Sequence, residues 1–183
     1  MKDFESLIIA RRSTRKFTER QISPEDVQKL LQSALLAPTS KNSKSIEFVA
    51  VEDKRLLQQL SVCKNAGGAF LEECALAVAV IGDRTVTDAW IEDASIAAVF
   101  IQLQAEDWGL GSCWCHVRNR FTGDMESEQY VRELLEIPDH FGVLCIIGIG
   151  YKEQERKPND LTKLTWEKIH IETFSPADKN TIA

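Results

Sequence analysis

Ala94-Ser95-Ile96-Ala97-Ala98-Val99-Phe100-Ile101-Gln102-Leu103-Gln104-Ala105, followed four residues on by Gly109-Leu110-Gly111-Ser112-Cys113-Trp114-Cys115-His116, is the stretch on which the fold turns. Its first part belongs to a helix predicted over 90–108. Ala94, Ile96, Ala97, Ala98, Val99, Phe100, Ile101 and Leu103 leave little of that helix polar in its middle. A helix apolar on most sides belongs at the centre of a domain or at an oligomer interface. Gln102, Gln104, Glu106 and Asp107 exclude a membrane span. Gly109 ends the helix, and 110–116 reads as a tight segment after it.

Working outward, residues 75–81 are a continuous apolar run closed by Gly82, which predicts a fully buried strand. A polar helix over 127–136 precedes a similar run at 143–149. A third strand is predicted at 46–51. Between 46–51 and 75–81 Asp53 caps a charged helix with Leu56, Leu57 and Leu60 inward. Asn65-Ala66-Gly67-Gly68 breaks it, as a turn or as a place where backbone meets a ligand. Toward the amino terminus, Ser23 as cap, Pro24 at the first helical position and Val27, Leu30, Leu31, Ala34 and Leu35 at helical spacing predict a helix that Pro38 stops. Asp3 caps a shorter helix carrying Phe4, Leu7 and Ile8. The tail over 151–183 is polar, basic at Arg156-Lys157, and alternates at Ile169, Ile171 and Thr173 as an edge strand does.

The 183 residues, 44% hydrophobic and 27% charged, suit one domain over 1–183. The amino terminus lacks an apolar signal core and no apolar run reaches the length of a membrane span, so a cytoplasmic protein is expected. Five cysteines, an odd number, favour buried reduced thiols over a disulfide framework.

Against a net charge of -6, Arg11-Arg12-Ser13-Thr14-Arg15-Lys16-Phe17 is a local cationic cluster with two hydroxyls. Guanidinium groups grip phosphate with paired, charge-assisted bonds, and serine adds a neutral donor. The plainer reading is a solvated basic face. The acidic balance of the whole chain fits a small anion better than nucleic acid. Other chemistries lack their spacing: there is no P-loop, HExxH or GxSxG, and Gly148-Ile149-Gly150 is not completed to GxGxxG because Glu153 stands in the last place. Cys113, Cys115 and His116 lack a second ligand pair for zinc, so no metal is expected. A cysteine nucleophile with His116 as its base would require sequence neighbours to face one another. Trp90, Trp108, Trp114 and Trp166 read as packing residues.

In these residues the chain resembles the nitroreductase family over nearly its whole length. Arg11, Ser13, Arg15 and Phe17 match the R-x-S-x-R-x-F opening. Ala37, Pro38, Thr39, Ser40 and Asn42 match the A-P-S/T motif and its asparagine. Gly109 to Ser112 with Trp114 match G-L-G-S-x-W at the end of the central helix, and Ile147 to Tyr151 match I-G-x-G-Y. The resemblance implies an α+β fold, a central and mostly antiparallel sheet surrounded by helices in a two-fold dimer. It also implies an FMN-dependent oxidoreductase passing hydride from NADH or NADPH to nitroaromatic, quinone or similar small acceptors by a ping-pong mechanism. Arg11, Arg12, Ser13 and Arg15 would hold the FMN phosphate, with Arg156 and Lys157 in place of the usual Lys-x-Arg pair. Pro38, Thr39, Ser40 and Asn42 would reach the flavin of the other subunit. Asn65 and the segment Cys113, Trp114, Cys115 and His116 would lie against the ring, with Cys115 or His116 supplying a proton or tuning its potential. The family's Asn-x-Gln-Pro-Trp is here Asn42-Ser43-Lys44-Ser45-Ile46, which alters the wall of the substrate pocket. A flavin-binding or flavin-modifying relative without reductase activity, and a non-flavin interaction protein, are the other readings.

Overall fold

The computed structural model describes residues 3–174; Met1, Lys2 and 175–183, the end of the polar tail, lie outside the described residues. Four strands, β1 (Ile46–Val51), β2 (Leu76–Asp83), β3 (Leu110–His116) and β6 (Phe141–Tyr151), form a sheet in the order β1-β2-β6-β3. Every neighbouring pair is antiparallel. The continuous apolar runs of β2 and β6 are explained by this order: both are inner strands covered on both faces, so alternation with polar residues has no place in them. A short hairpin, β4 (Phe121–Thr122) with β5 (Met125–Glu126), stands apart.

Among the described residues there are five α-helices, α1 (Phe4–Ala10), α2 (Pro24–Leu35), α3 (Lys54–Ser61), α4 (Trp90–Asp107) and α5 (Ser127–Leu135); α2 to α5 cover the sheet, and α1 lies against α4. Their starts follow the capping residues. The carboxylate of Asp3 accepts from the Ser6 amide at 2.9 Å, Ser23 from Asp26 at 3.1 Å, and Asp53 from Arg55 and Leu56 at 3.0 Å each. On one face α2 and α4 close a core through Leu30, Ala34, Ala94, Ala98 and Ile101; on the other α3 and α5 close a second through Leu57, Leu60 and Val131.

Three expectations are corrected. Residues 110–116 are a full strand at the sheet edge, paired with β6 from Leu110 opposite Tyr151 to His116 opposite Cys145. The alternating Ile169 and Ile171 make no strand; they are exposed and follow a single-turn helix at Trp166–Lys168. The helix capped by Asp53, expected to be broken by Asn65-Ala66-Gly67-Gly68, already ends at Ser61.

Gly82 and Gly142 sit side by side in the β2–β6 register, and Trp90 at the start of α4 lies over both. A Cβ on Gly142 would stand 2.5 Å from Trp90 Cη2, and one on Gly82 would stand 2.7 Å from Trp90 Cε3. Gly142→Ala therefore forces a buried indole to move. The expected cost is about 1–3 kcal/mol, a fall of several degrees in thermal midpoint by scanning calorimetry; an unchanged midpoint would mean that Trp90 relocates freely.

Ile96, Val99 and Phe100, gathered within about one turn of α4, remain exposed, as do Phe4 and Ile8 on α1 and Leu35 and Leu36 at the end of α2. These apolar faces stand open on the isolated chain.

Candidate functional site

The basic segment leaves α1 extended and wraps one end of the sheet. Ser13 bridges Ser112 in parallel, the Thr14 amide donates to the Ser112 carbonyl at 2.9 Å, and Phe17 bridges Lys152 just beyond β6. Gly111 makes room for this, because a Cβ there would lie 2.6 Å from the Thr14 methyl group. Alternation along the extended segment turns Ser13, Arg15 and Phe17 to one side. Burial raises the pKa of the Cys113 thiol, and the nearby Arg15 charge and Ser13 hydroxyl act to lower it. Phe17 is buried in the core formed with α3. Arg11, Arg12 and Ser13 are half-buried and Arg15 is exposed. Arg12 spends a donor on the tail: its Nη1 is 2.5 Å from the carbonyl of Lys157. The Asn159 side chain donates to the Ile9 carbonyl at 3.2 Å, holding the tail along the end of α1. The tail thus meets the basic segment through backbone, while the side chains of Arg156 and Lys157 stand exposed.

The edge strand β3 offers a second set of groups. Because the Ser112 carbonyl accepts from Thr14, outside the β3–β6 ladder, residue 112 directs its backbone polar groups away from β6, and alternation gives Trp114 and His116 the same outward direction. Their amides face the open edge. Cys113 and Cys115 direct theirs to β6, and both thiols are buried in the α3-side core. Cys115 is 0% exposed, so its thiol does not reach an open surface. Its own partner is Cys63. Donating to Cys115 holds the Cys63 thiol well above its ordinary pKa, and accepting that bond holds Cys115 below its own, with the nearby Lys64 charge acting in the same direction on Cys115.

Trp114 and His116, on the opposite face, stack at 6.2 Å between centroids and 18° between planes. The indole Nε1 donates to His116 Nδ1 at 3.3 Å. Burial, with the charges of Arg120, Lys64 and Arg118, lowers the His116 pKa, so the ring is neutral at pH 7 and its Nδ1 is an acceptor. The cations that keep it neutral also make this end of the edge strand favourable to negative charge.

The loop after α2 is held by its own short side chains. Thr39 accepts from the Asn42 amide through its carbonyl and from the Lys44 amide through its hydroxyl, both at 3.0 Å. Lys41, Asn42 and Lys44 have φ of 52°, 53° and 51°. Pro38 and Asn42 are exposed, and Thr39 and Ser40 are half-buried. Asn65 acts locally, since its amide donates to the Phe121 carbonyl at 2.8 Å and its side-chain oxygen accepts from Gly123 at 2.8 Å, pinning the β4–β5 hairpin. Within one chain the structure therefore joins Arg11–Arg15 to Ser112–His116 directly, and the 38–42 loop is tied to α4 through Ser40 and Asp93. Among the described residues no group of three or more His, Cys, Asp and Glu side chains could hold a metal. No helix of the described residues is long and apolar enough to cross a membrane.

The family model described as Nitroreductase family matches residues 8–75 and 62–151. The chain is 44% identical to a structure described as an FMN-dependent nitroreductase from Clostridium difficile R20291. That alignment covers 93% of this chain and all of the other, with a TM-score of 0.91. An Archaeoglobus fulgidus protein with the provisional name NADH dehydrogenase/NAD(P)H nitroreductase is 34% identical over 160 residues, 85% of this chain and 89% of that protein. The FMN reductase (NADPH) of Bacillus subtilis is 27% identical over 165 residues, 79% of this chain and 64% of its own length.

Proposed function

The chain belongs to the nitroreductase family, and from that premise we propose that it is an FMN-dependent NAD(P)H oxidoreductase, a single domain acting as a cytoplasmic homodimer. The observation that carries the reading is the junction of Ser13 with Ser112: it sets a cationic, hydroxyl-bearing segment beside the outward amides of Trp114 and His116. Such a pair of groups fits a phosphate at one end and an electron-accepting ring edge at the other. Bound FMN would supply two-electron redox chemistry between a reduced nicotinamide and a small oxidised acceptor such as a nitroaromatic or a quinone.

The chain's own residues do the rest. Arg11, Ser13 and Arg15 bind the phosphate, with Arg12 fixing the tail so that Lys157 stays near it. The amides of Trp114 and His116 donate to the ring edge where negative charge gathers on reduction, and Lys64, Arg118 and Arg120 add a favourable field. Neutral His116, held by Trp114, orients the strand edge. Thr39, Ser40 and Asn42 complete the site of a second copy, whose Ile96, Val99 and Phe100 faces cover one another. Donor and acceptor then share one open face in alternation, a ping-pong arrangement.

Visible spectra of the purified protein with added FMN, followed without oxygen by NADH and then NADPH, test this. Flavin bands that shift on binding and bleach with one nicotinamide are expected. Bound flavin that neither donor bleaches would make this a flavin-binding protein without reductase activity, and an absence of FMN binding would overturn the reading altogether.

A further inference from the structure

Asp93 is a carboxyl group buried near the start of the central helix. It lies in the first turn of α4, is 3% exposed, and its Oδ1 accepts from the backbone amide of Ser40, 53 residues away, at 2.8 Å. Its Oδ2 is buried with no hydrogen-bond partner among the described residues. Burying an acid for one bond is unfavourable unless that bond fixes something the fold cannot otherwise fix.

What it fixes is the loop carrying Thr39, Ser40 and Asn42. Three non-glycine residues there, Lys41, Asn42 and Lys44, occupy the left-handed region, which persists only where surrounding contacts over-determine it. Most of those contacts are internal to the loop: the Thr39 bonds, and Ser43 to Ser40 at 2.9 Å. They fix its shape and leave its placement open. The Asp93–Ser40 bond is the hydrogen bond that ties the loop to the central helix, and α4 is also the helix that runs into β3 and its outward amides.

We infer that Asp93 is a positioning residue for the flavin site, holding the 38–42 loop at the place on α4 from which Thr39, Ser40 and Asn42 meet the ring bound by a second copy. This rests on the function proposed above. Asp93 need not touch the flavin; the Ser40 amide carries its effect.

The test is FMN affinity and flavin midpoint potential at a temperature well below unfolding, for wild type, Asp93→Ala, Asp93→Asn and Ser40→Pro. Asp93→Ala removes the acceptor, and FMN binding is expected to weaken roughly ten- to hundredfold with a shifted potential. Asp93→Asn keeps an acceptor for the Ser40 amide and should restore affinity to within about threefold. Ser40→Pro deletes the donor; Thr39, at φ -128° and ψ 152°, already has the backbone a following proline requires. Its loss should match that of Asp93→Ala, and the double variant should be no worse than either single one. Losses that add, or an Asp93→Ala protein that melts earlier yet binds FMN with unchanged affinity and potential, would overturn the inference while leaving the flavin site standing. Wild-type protein that binds no FMN would remove both.

Discussion

With Arg11 and Arg15 both replaced by alanine, FMN affinity is expected to fall about 10²- to 10⁴-fold while thermal stability without FMN changes little. Each guanidinium supplies charge-assisted bonds worth roughly 1.5–3 kcal/mol to a phosphate, and two such losses give about that ratio. Apo stability should be spared because Arg15 is exposed and Arg11 makes no buried ion pair among the described residues. Arg12 is left in place because its bond to the Lys157 carbonyl is part of the tail's anchorage. Fluorescence titration of FMN against the two proteins, repeated at rising salt, measures this. Wild type should lose affinity as salt screens the partly exposed cations, and the double variant should show a flatter dependence. Lys29→Ala, which disturbs only a surface pair with Glu25 on α2, is the control and should titrate as wild type does. Equal affinity in the double variant would move the phosphate elsewhere and reduce the basic segment to a solvated face.

Much of the fold follows from local rules that the tertiary structure does not override. Asp3, Ser23 and Asp53 cap the helices their side chains predict, because a capping bond is decided by a few neighbouring residues. The segment at 46–51 and the apolar runs at 75–81 and 143–149 form strands, since their short length sets them apart from helices. Residues 110–116 are harder to read. Gly109-Leu110-Gly111-Ser112 carries two glycines, and strand propensity is low there; pairing with eleven-residue β6, a non-local fact, makes the strand. The tail misleads in the opposite direction. Ile169 and Ile171 alternate, but no strand edge is offered to them, and alternation without a partner is not a sheet.

The site divides the same way. The basic segment is legible because charge density in an acidic chain needs no tertiary knowledge. The separation of Cys113 and Cys115 from Trp114 and His116 is not, since it requires knowing that these four residues are a strand, whose period of two sends neighbours to opposite faces. The glycines of Gly148-Ile149-Gly150 illustrate a different limit. They mark close approach, yet what approaches is Phe70 at Gly148 and Phe17 at Gly150, both side chains of the core rather than a ligand. Asp93 is invisible to sequence reading because an acid in the first turn of a helix is ordinary; only its burial and its distant partner set it apart.

Glu106→Ala is expected to destabilise the fold by about 3–5 kcal/mol, more than Gly142→Ala, with a fall of roughly 10 °C or more in thermal midpoint. Glu106 lies at the end of α4 with its side chain 4% exposed, and its Oε1 is 2.9 Å from Lys152 Nζ, whose side chain is 9% exposed. Burial by itself would lower the Lys152 pKa; the hydrogen bonds and charges of Glu106 and Glu155 outweigh it and the pKa is raised. Removing Glu106 leaves the ammonium buried with Glu155, a mostly exposed partner at 3.3 Å. The sign of the pH effect follows. A raised lysine pKa contributes stability that is fully present below its ordinary value near 10.5 and is lost as pH rises through the folded value. The gap between wild type and Glu106→Ala should therefore be constant near neutrality and narrow above about pH 10.5. Glu106→Leu combined with Lys152→Met should recover most of the loss, because two apolar residues need no partner. The position of the pair gives the effect a functional reach: Lys152 bridges Phe17, and the next amide, Glu153, donates to the Lys16 carbonyl at 3.2 Å. Loosening Lys152 loosens the end of the basic segment, so Glu106→Ala should weaken FMN binding even where the protein remains folded, and the paired apolar replacement should restore it.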